Sequence, residues 1–386
     1  MDASTAGAEH CRQSQSACSH CHRLNKGKTM LRPLTFARTF SLALLVAGLS
    51  PANATDWWPL QVNATGKDGK VARVDYRPLA KASKPWNVCV SFPHMKDPFF
   101  LAANYGMVEE ARRMGVNLQT MDAGGYTQLA TQVKQIEDCV AGGAQAVVMV
   151  GIAADGMNNL LEQLKAKNIP VIDAINGVHS KDTAARVLTS PHDEGLRAGQ
   201  YLAKKHPKGS PEVRIAWLPG PAGAGFVEAF NAGFNKGIAD SAVKVAEVKN
   251  GDVGKEVQAK LVEDLLQTHK DLNYLVGTAV MVEAALPILR ARNLQDKVKL
   301  VSVYMTPGTY QALTRKAIDA AGAAPVVTTA RIMLDQAVRA LENKIEFTDV
   351  GTLGQVYTAQ DIGTLKRETV LAPDSFKPVF KFQAGK

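Results

Sequence analysis

From Trp86 onward the sequence alternates between short apolar runs and longer segments with helical spacing. The run 88–92 (VCVSF) is followed by 101–114, where Leu101, Tyr105, Val108 and Ala111 share a face and Gly115 stops the helix. A strand over 118–122 leads to a helix over 128–141 with Leu129, Val133, Ile136 and Val140 on one side. The run 147–151 (VVMVG) contains no polar side chain, and a helix over 158–167 and a strand over 170–173 follow. The same rhythm predicts strands over 187–190, 213–218, 243–248, 274–277 and 300–303. It predicts helices over 195–205, 224–239, 255–268, 283–291, 308–314 and 326–341. Helices of this length between wholly apolar strands mean βαβ units on a parallel sheet, because a strand covered on both faces needs no polar alternation. The units are too many for one sheet of ordinary size. The pattern therefore predicts an α/β chain with two doubly wound parallel-sheet lobes, about six strands in each. Residues 55–85, with Gly, Lys and Pro and little periodicity, read as an irregular lead-in.

Residues 30–54 have the layout of a secretory signal: Arg32 and Arg38, an apolar run over 40–49 (FSLALLVAGL), then Ala52-Asn53-Ala54 as a small-x-small cleavage site. That run is too short to span a bilayer, and no later stretch reaches about 18 uninterrupted apolar residues. Residues 1–29 carry His10, Cys11, Cys18, His20, Cys21 and His22, and a Cys-x-x-Cys pair with nearby histidines can bind zinc. A signal opens near the start of a chain, however, and Met30 is where this one would open. The expectation is a mis-assigned start or a discarded extension. Six of the 45 Lys and Arg and two of the 36 Asp and Glu precede Thr55, so the formal net charge falls from +9 to +5 beyond the signal. The remainder is scattered without a like-sign block, which points away from nucleic acid or a membrane surface as partner. Cys89 and Cys139 are the cysteines left, one in a predicted strand and one in a predicted helix of the same lobe. In an oxidising compartment an even count favours a disulfide, with two separately buried thiols as the alternative.

In open parallel sheets ligands bind beyond the carboxyl ends of the strands. The loops there are 93–100 (PHMKDPFF), 123–126 (AGGY), 151–153 (GIA), 190–193 (SPHD) and 304–307 (YMTP). Only 6% of the chain is aromatic, yet Phe99, Phe100, Tyr126 and Tyr304 all fall in these loops. Aromatic faces suit a ligand with apolar or cationic methyl groups. Packing into the core is the alternative for the two phenylalanines, and capping the surface for the two tyrosines. Asp97, before Pro98 at a helix start, contacts the ligand or caps the helix. His192 reads as a ligand contact, a base or a solvated loop residue. Catalytic groupings are missing: there is no G-x-S-x-G elbow and no G-x-x-x-x-G-K-[ST] loop. Gly220, Gly223 and Gly225 do not match G-x-G-x-x-G and read as a helix-packing turn or a turn at the mouth of a lobe. The eight histidines are scattered, three of them before Met30. No enzyme activity, cofactor or metal centre is expected.

The order of these motifs over 86–340 resembles the ribose-binding-like periplasmic proteins, the type I fold of periplasmic binding proteins. KDPFFLAANYGMVEEARRMGVNL resembles that family's first strand–loop–helix, and SPHDEGLRAGQYLA resembles the helix that opens its second lobe. The resemblance implies a three-stranded hinge, a first lobe over 86–189 and 324–350, and a second over 190–323 and 351–386. Within the family, LAANYGMVEEARRMGVNL, AGGYTQLATQVKQIEDC, LVGTAVMVEAAL and FKPVFKF are similar to the sensors of trimethylamine N-oxide respiration. Cys89 and Cys139 match cysteine positions there. That likeness implies a small methylated ligand and a membrane-bound sensor histidine kinase as partner. The permease of an ABC importer is the alternative partner.

The sugar contacts of the wider family are absent one by one. Asp173-Ala174 stands in place of Asp-Arg, Phe226-Val227-Glu228 in place of a segment with Arg, and Ala279-Val280 in place of Asn-Asp. Tyr304 replaces an Asp, and a Gln near Gly322 is missing. A buried hydroxyl without a partner costs about 1–3 kcal/mol, so a sugar is disfavoured. Tyr126 and Tyr304 match aromatic positions of the amine-oxide sensors. Phe99-Phe100 stands where those have Tyr-Trp, and His192 stands where they have a tryptophan. The expected cage is thinner, because Phe is a weaker cation–π face than Trp.

Overall fold

The computed structural model describes residues 57–385. The reading of 1–29 and 30–54 as extension and signal lies outside the described residues. In chain order the strands and helices begin with β1 (Leu60–Gly66), β2 (Val71–Tyr76), β3 (Asn87–Phe92), α1 (Pro98–Met114), β4 (Asn117–Asp122) and α2 (Leu129–Ala141). They continue with β5 (Ala146–Met149), α3 (Asn158–Ala166), β6 (Val171–Ala174), β7 (Ala185–Leu188), α4 (Pro191–Lys205), β8 (Val213–Gly220) and α5 (Gly225–Ile238). Next come β9 (Val243–Asn250), α6 (Lys255–Thr268), β10 (Tyr274–Gly277), α7 (Ala279–Ala291), β11 (Lys299–Ser302), α8 (Pro307–Thr314) and β12 (Ala320–Ala323). The chain ends with α9 (Val326–Leu341), β13 (Phe347–Thr352), β14 (Gln355–Tyr357), α10 (Arg367–Val370) and β15 (Lys381–Phe382).

These strands form two sheets, of order β15-β4-β3-β5-β6-β7-β13-β1-β2 and β14-β12-β11-β10-β8-β9. The pairings from β4 through β13 in the first sheet, and from β12 through β9 in the second, are parallel. Antiparallel strands close the margins of the first sheet at both ends and of the second at β14. The chain passes between the sheets after β7, β12, β13 and β14, one crossing more than the three-stranded hinge expected. The fold is the two-lobed, doubly wound α/β class that the alternation predicts.

Local chemistry sets the element ends. Asp97 caps α1, accepting from the Phe99 N–H at 2.9 Å, with Pro98 in the first turn. Gly115 ends it at φ 76° in the left-handed region, where its lack of a Cβ costs nothing. β5 and β6 are buried along their whole length, which explains their apolar runs. In the second lobe α4 and α5 meet through glycines. A Cβ on Gly195 or Gly233 would lie 2.4 Å from the Phe230 carbonyl oxygen or 1.9 Å from that of His192. Gly199 and Gly237 repeat the arrangement one turn on, so the two helices touch backbone to backbone.

Two expectations are corrected. The segment read as an irregular lead-in contains the hairpin β1–β2, and β1 pairs antiparallel with β13. A buried polar network fixes this hairpin: Asp335 on α9 accepts from the Tyr76 hydroxyl, from the Leu79 N–H at 2.8 Å and from Arg339 at 2.7 Å. The tail 351–386 is not confined to the second lobe, because β15 pairs with β4 in the first sheet. Asn104 holds that return. Its side chain accepts from the Val379 N–H at 2.8 Å and donates to the Val379 carbonyl at 3.1 Å, and Phe376 packs edge-on against Tyr105 at 5.0 Å.

Candidate ligand-binding site

The carboxyl ends of the parallel strands in both sheets face a common cleft, and the cleft is closed. Phe99 of α1 meets Tyr304, just past β11, with ring centroids 5.2 Å apart. Tyr126, past β4, meets Phe226 of α5 at 5.8 Å. Both pairs join the lobes, the first edge-to-face and the second tilted, and aromatic pairs contribute about 0.5–1.5 kcal/mol each beyond area burial. The Tyr304 hydroxyl donates to Asp97 across the same gap. At the rim, the Ala154 N–H donates to the Gly223 carbonyl at 3.1 Å, and a Cβ on Gly225 would lie 2.2 Å from the Gly177 carbonyl oxygen. The glycine cluster of 220–225 thus lies at the mouth between the lobes.

Inside remains a cavity of about 40 Å³. The first lobe and its crossing segment contribute Asp97, Phe99, Phe100, Tyr126, Ile175, Asn176 and Thr189 to its wall. The second contributes Pro191, Glu194, Phe226, Val253 and Tyr304. Among the described residues no Lys or Arg lines it. Since about 10–15 Å³ holds one water, the space suits roughly three water-sized groups. Any larger ligand requires the walls to move apart.

The polar groups in this wall are few and their states differ. Burial raises the Asp97 carboxyl to about 6, and the bonds from the Tyr304 hydroxyl and the Phe99 N–H partly oppose that rise. Glu194, in the first turn of α4, is only 7% exposed, and its Oε1 has no hydrogen-bond partner among the described residues. Burial raises it to about 8 against the opposing effects of the Thr189 hydroxyl and the Arg197 charge. Burial likewise pushes the Tyr126 and Tyr304 phenols up, so both keep their protons. Tyr126 accepts from the Asn176 side chain at 3.0 Å, which leaves its own O–H to point elsewhere. His94 backs the wall, fully buried, edge-on to Phe100 and Tyr126, with burial lowering its affinity for a proton. Ile175 has φ 59° and Ser190, at the first crossing, φ 58°. A β-branched side chain in that region is strained, and such strain collects where structure serves a ligand or a hinge.

Five of the six candidates from sequence, Asp97, Phe99, Phe100, Tyr126 and Tyr304, line this one cavity. His192 does not. The helix begins at Pro191, four residues before the expected start, so Pro191 and Glu194 share the cavity face while His192 turns away. Its ring bonds the neighbouring Asp193 at 3.2 Å, and its side chain is 45% exposed. Sequence reasoning missed Glu194, Asn176, Thr189 and Phe226. The signal for Glu194 was its three-residue spacing from Pro191 on a helix whose first turn faces the cleft. Cys89 and Cys139 are joined as a disulfide between β3 and α2, with Cα atoms 6.4 Å apart. Among the described residues no cluster of three or more His, Cys, Asp or Glu could hold a metal ion, and no helix is long and apolar enough to cross a membrane.

Comparison with known proteins agrees with this architecture. Residues 88–345 match the family model described as periplasmic binding protein domain. Periplasmic protein TorT of Escherichia coli (strain K12) is 32% identical over 303 residues, covering 78% of this chain and 86% of TorT. Ribose import binding protein RbsB of the same strain is 24% identical over 256 residues, covering 64% of this chain and 84% of RbsB. Among solved structures, an ABC transporter solute-binding protein from Bradyrhizobium sp. BTAi1 with bound Bis-tris is 50% identical, with TM-score 0.72, covering 84% of this chain and 99% of that one. TorT in complex with the TorS sensor domain, without ligand, is 31% identical, with TM-score 0.69, covering 76% and 100%. These relatives are binding proteins, and the chain belongs with them to the periplasmic binding protein family, as a solute-binding protein of the type I fold related to TorT and to sugar-binding proteins of importers.

Proposed function

We propose that this chain is a periplasmic sensor whose lobes close on a small methylated polar ligand, such as trimethylamine N-oxide or an analogue, and that the closed form signals to a membrane sensor histidine kinase. The observation that carries this reading is the cavity: it is walled by aromatic rings from both lobes, with no basic side chain among the described residues. Methyl groups on a positively polarised nitrogen are attracted to aromatic faces by about 0.5–2 kcal/mol for each good contact. The Tyr126 hydroxyl supplies a donor for a ligand oxygen. TorT, solved with the TorS sensor domain in the presence of trimethylamine N-oxide and 30% identical to this chain, supports both ligand and partner. Phe99 and Phe100 in place of Tyr-Trp make this cage the weaker one. A ligand shifts the lobe equilibrium only by its differential affinity for the closed state, and here that affinity comes from walls belonging to both lobes.

A second reading, delivery of the ligand to an ABC permease, is favoured by the 50% identity to an importer's solute-binding protein that carries Bis-tris, itself an amine. Calorimetry and thermal melting against trimethylamine N-oxide, dimethyl sulfoxide, trimethylamine and ribose test the ligand. A melting shift with the N-oxide and none with ribose is the expected result. No heat and no shift with any methylated compound refutes it. Co-purification with ligand then separates the partners: a sensor kinase supports the first reading, a permease the second.

A further inference from the structure

The cavity holds two buried acids from opposite lobes, and they differ in kind. Asp97 is fully engaged, accepting from the Phe99 N–H and from the Tyr304 hydroxyl. As cap of α1 it also meets the positive end of a helix, where a negative charge is favoured. Glu194 has a free oxygen, is nine-tenths buried, and lines the cavity. A buried carboxyl oxygen without a partner carries its full desolvation penalty, so its position calls for a partner from the ligand. The backbone contact between α4 and α5 leaves the helix no room to carry this carboxyl elsewhere.

We propose that Glu194 fixes the ligand's oxygen: it enters the closed cleft as a neutral acid and donates its carboxyl proton, while the Asp97 carboxylate faces the positive end of the same ligand. This deepens the ligand reading above and rests on it. The class so selected is a compact dipole with an anionic oxygen and no proton of its own, an amine oxide rather than an ammonium ion. An ammonium ion has no acceptor to take the Glu194 proton and would instead drive that proton off.

The charged and titratable neighbours are consistent with a neutral Glu194. On its own helix these are His192 and Asp193, which both lie beside the cavity rather than in its wall, and Arg197 in the next turn. Across the cavity stand Asp97, Tyr126 and Tyr304. Behind it, α5 packs through glycines, and its Glu228 is exposed, 3.3 Å from His179. Burial is the largest influence, and it holds the carboxyl at about 8, neutral at pH 7.

The test is calorimetry of the whole chain with trimethylamine N-oxide from pH 6 to pH 9, in two buffers of different ionisation enthalpy, for wild type and Glu194→Gln. The neutral fraction of a group that titrates at about 8 falls about tenfold between pH 7 and pH 9. Wild-type affinity is expected to fall by the same factor, with no proton released at pH 7. Glu194→Gln keeps a donor without the titration and is expected to give a flat profile from pH 7 to pH 9, above the range in which Asp97 gains its charge. A flat wild-type profile, or the same slope in both proteins, overturns the donor role. Proton release on binding overturns it in favour of a carboxylate that pairs with a cation. No heat from either protein at pH 6 refutes the ligand reading itself and takes this proposal with it. Should Glu194→Gln fail to fold, the wild-type infrared band of a protonated carboxyl decides: it must persist and shift on binding, and its disappearance overturns the proposal.

Discussion

Replacing Tyr304 with Phe removes a single O–H from the interior of the closed cleft. The ring keeps its edge-to-face contact with Phe99 at 5.2 Å, so shape and apolar area are conserved. What disappears is the donor to Asp97, a bond between residues 7% and 3% exposed that joins the lobes only when they are closed. A hydrogen bond to a charged group contributes about 1.5–3 kcal/mol, and each 1.4 kcal/mol is tenfold in an equilibrium. The loss therefore falls on closure, and ligand affinity at pH 7 is expected to drop by roughly ten- to a hundred-fold. A second effect acts in the same direction. The Tyr304 bond opposes the burial that lifts Asp97 to about 6, so without it the carboxyl rises further and starts to lose its charge near neutrality. The deficit of the variant should accordingly shrink below pH 6, where the wild-type carboxyl is protonated too. Calorimetry at pH 5.5 and pH 7.5, paired with small-angle scattering of free and bound protein, measures both parts. Affinity within twofold of wild type at pH 7.5, with unchanged compaction on binding, would show that this bond does not hold the bound state together.

Three further outcomes follow from packing and position. Gly233→Ala places a Cβ 1.9 Å from the His192 carbonyl and is expected to cost about 1–3 kcal/mol or more in urea denaturation, while Gly363→Ala, with open space around it, should be close to neutral. The Cys89–Cys139 bridge closes a segment of 50 residues, so its reduction is expected to cost about 4 kcal/mol, and two thiols alkylated without reductant in the native protein would contradict the pairing. His192→Ala should leave ligand affinity within about twofold, because its side chain lies outside the cavity, and a tenfold loss would return it to the site.

Much of the fold could be read directly because its strands are buried on both faces. Runs such as Val147 to Met149 leave no other reading, and the helices over 255–268 and 326–341 lie where their periodicity places them. What escaped was strand without an apolar run. Ala320–Ala323 is AAGA, invisible to a search for β-branched residues. In β2 only Tyr76 is buried, so VARVDY shows no core-facing stripe. The Asp68-Gly69 turn, with Gly69 at φ 76°, was the available hairpin signal for that pair. In the site, aromatic residues in strand-end loops were legible because so few aromatics occur elsewhere. Glu194 was not, because an acid in the first turn of a helix usually serves the helix dipole in solvent. Its burial and its place in the cavity wall show that this one points inward.

The return of the tail to the first sheet sets a limit on the motion the site requires. Leu371 is seated in the apolar core of the second lobe, while Phe376 is packed on Tyr105 and Val379 is clasped by Asn104 in the first. The run from Leu371 to Phe376, with Ala372 buried on the way, can extend to about 17 Å at most. The tail therefore works as a door chain across the hinge: it leaves the cleft free to admit a small molecule but caps the swing of the lobes, so the open state is a bounded geometry rather than an arbitrary one. The NYGM and FKPVFKF strings, some 270 residues apart in sequence, together make its first-lobe fastening.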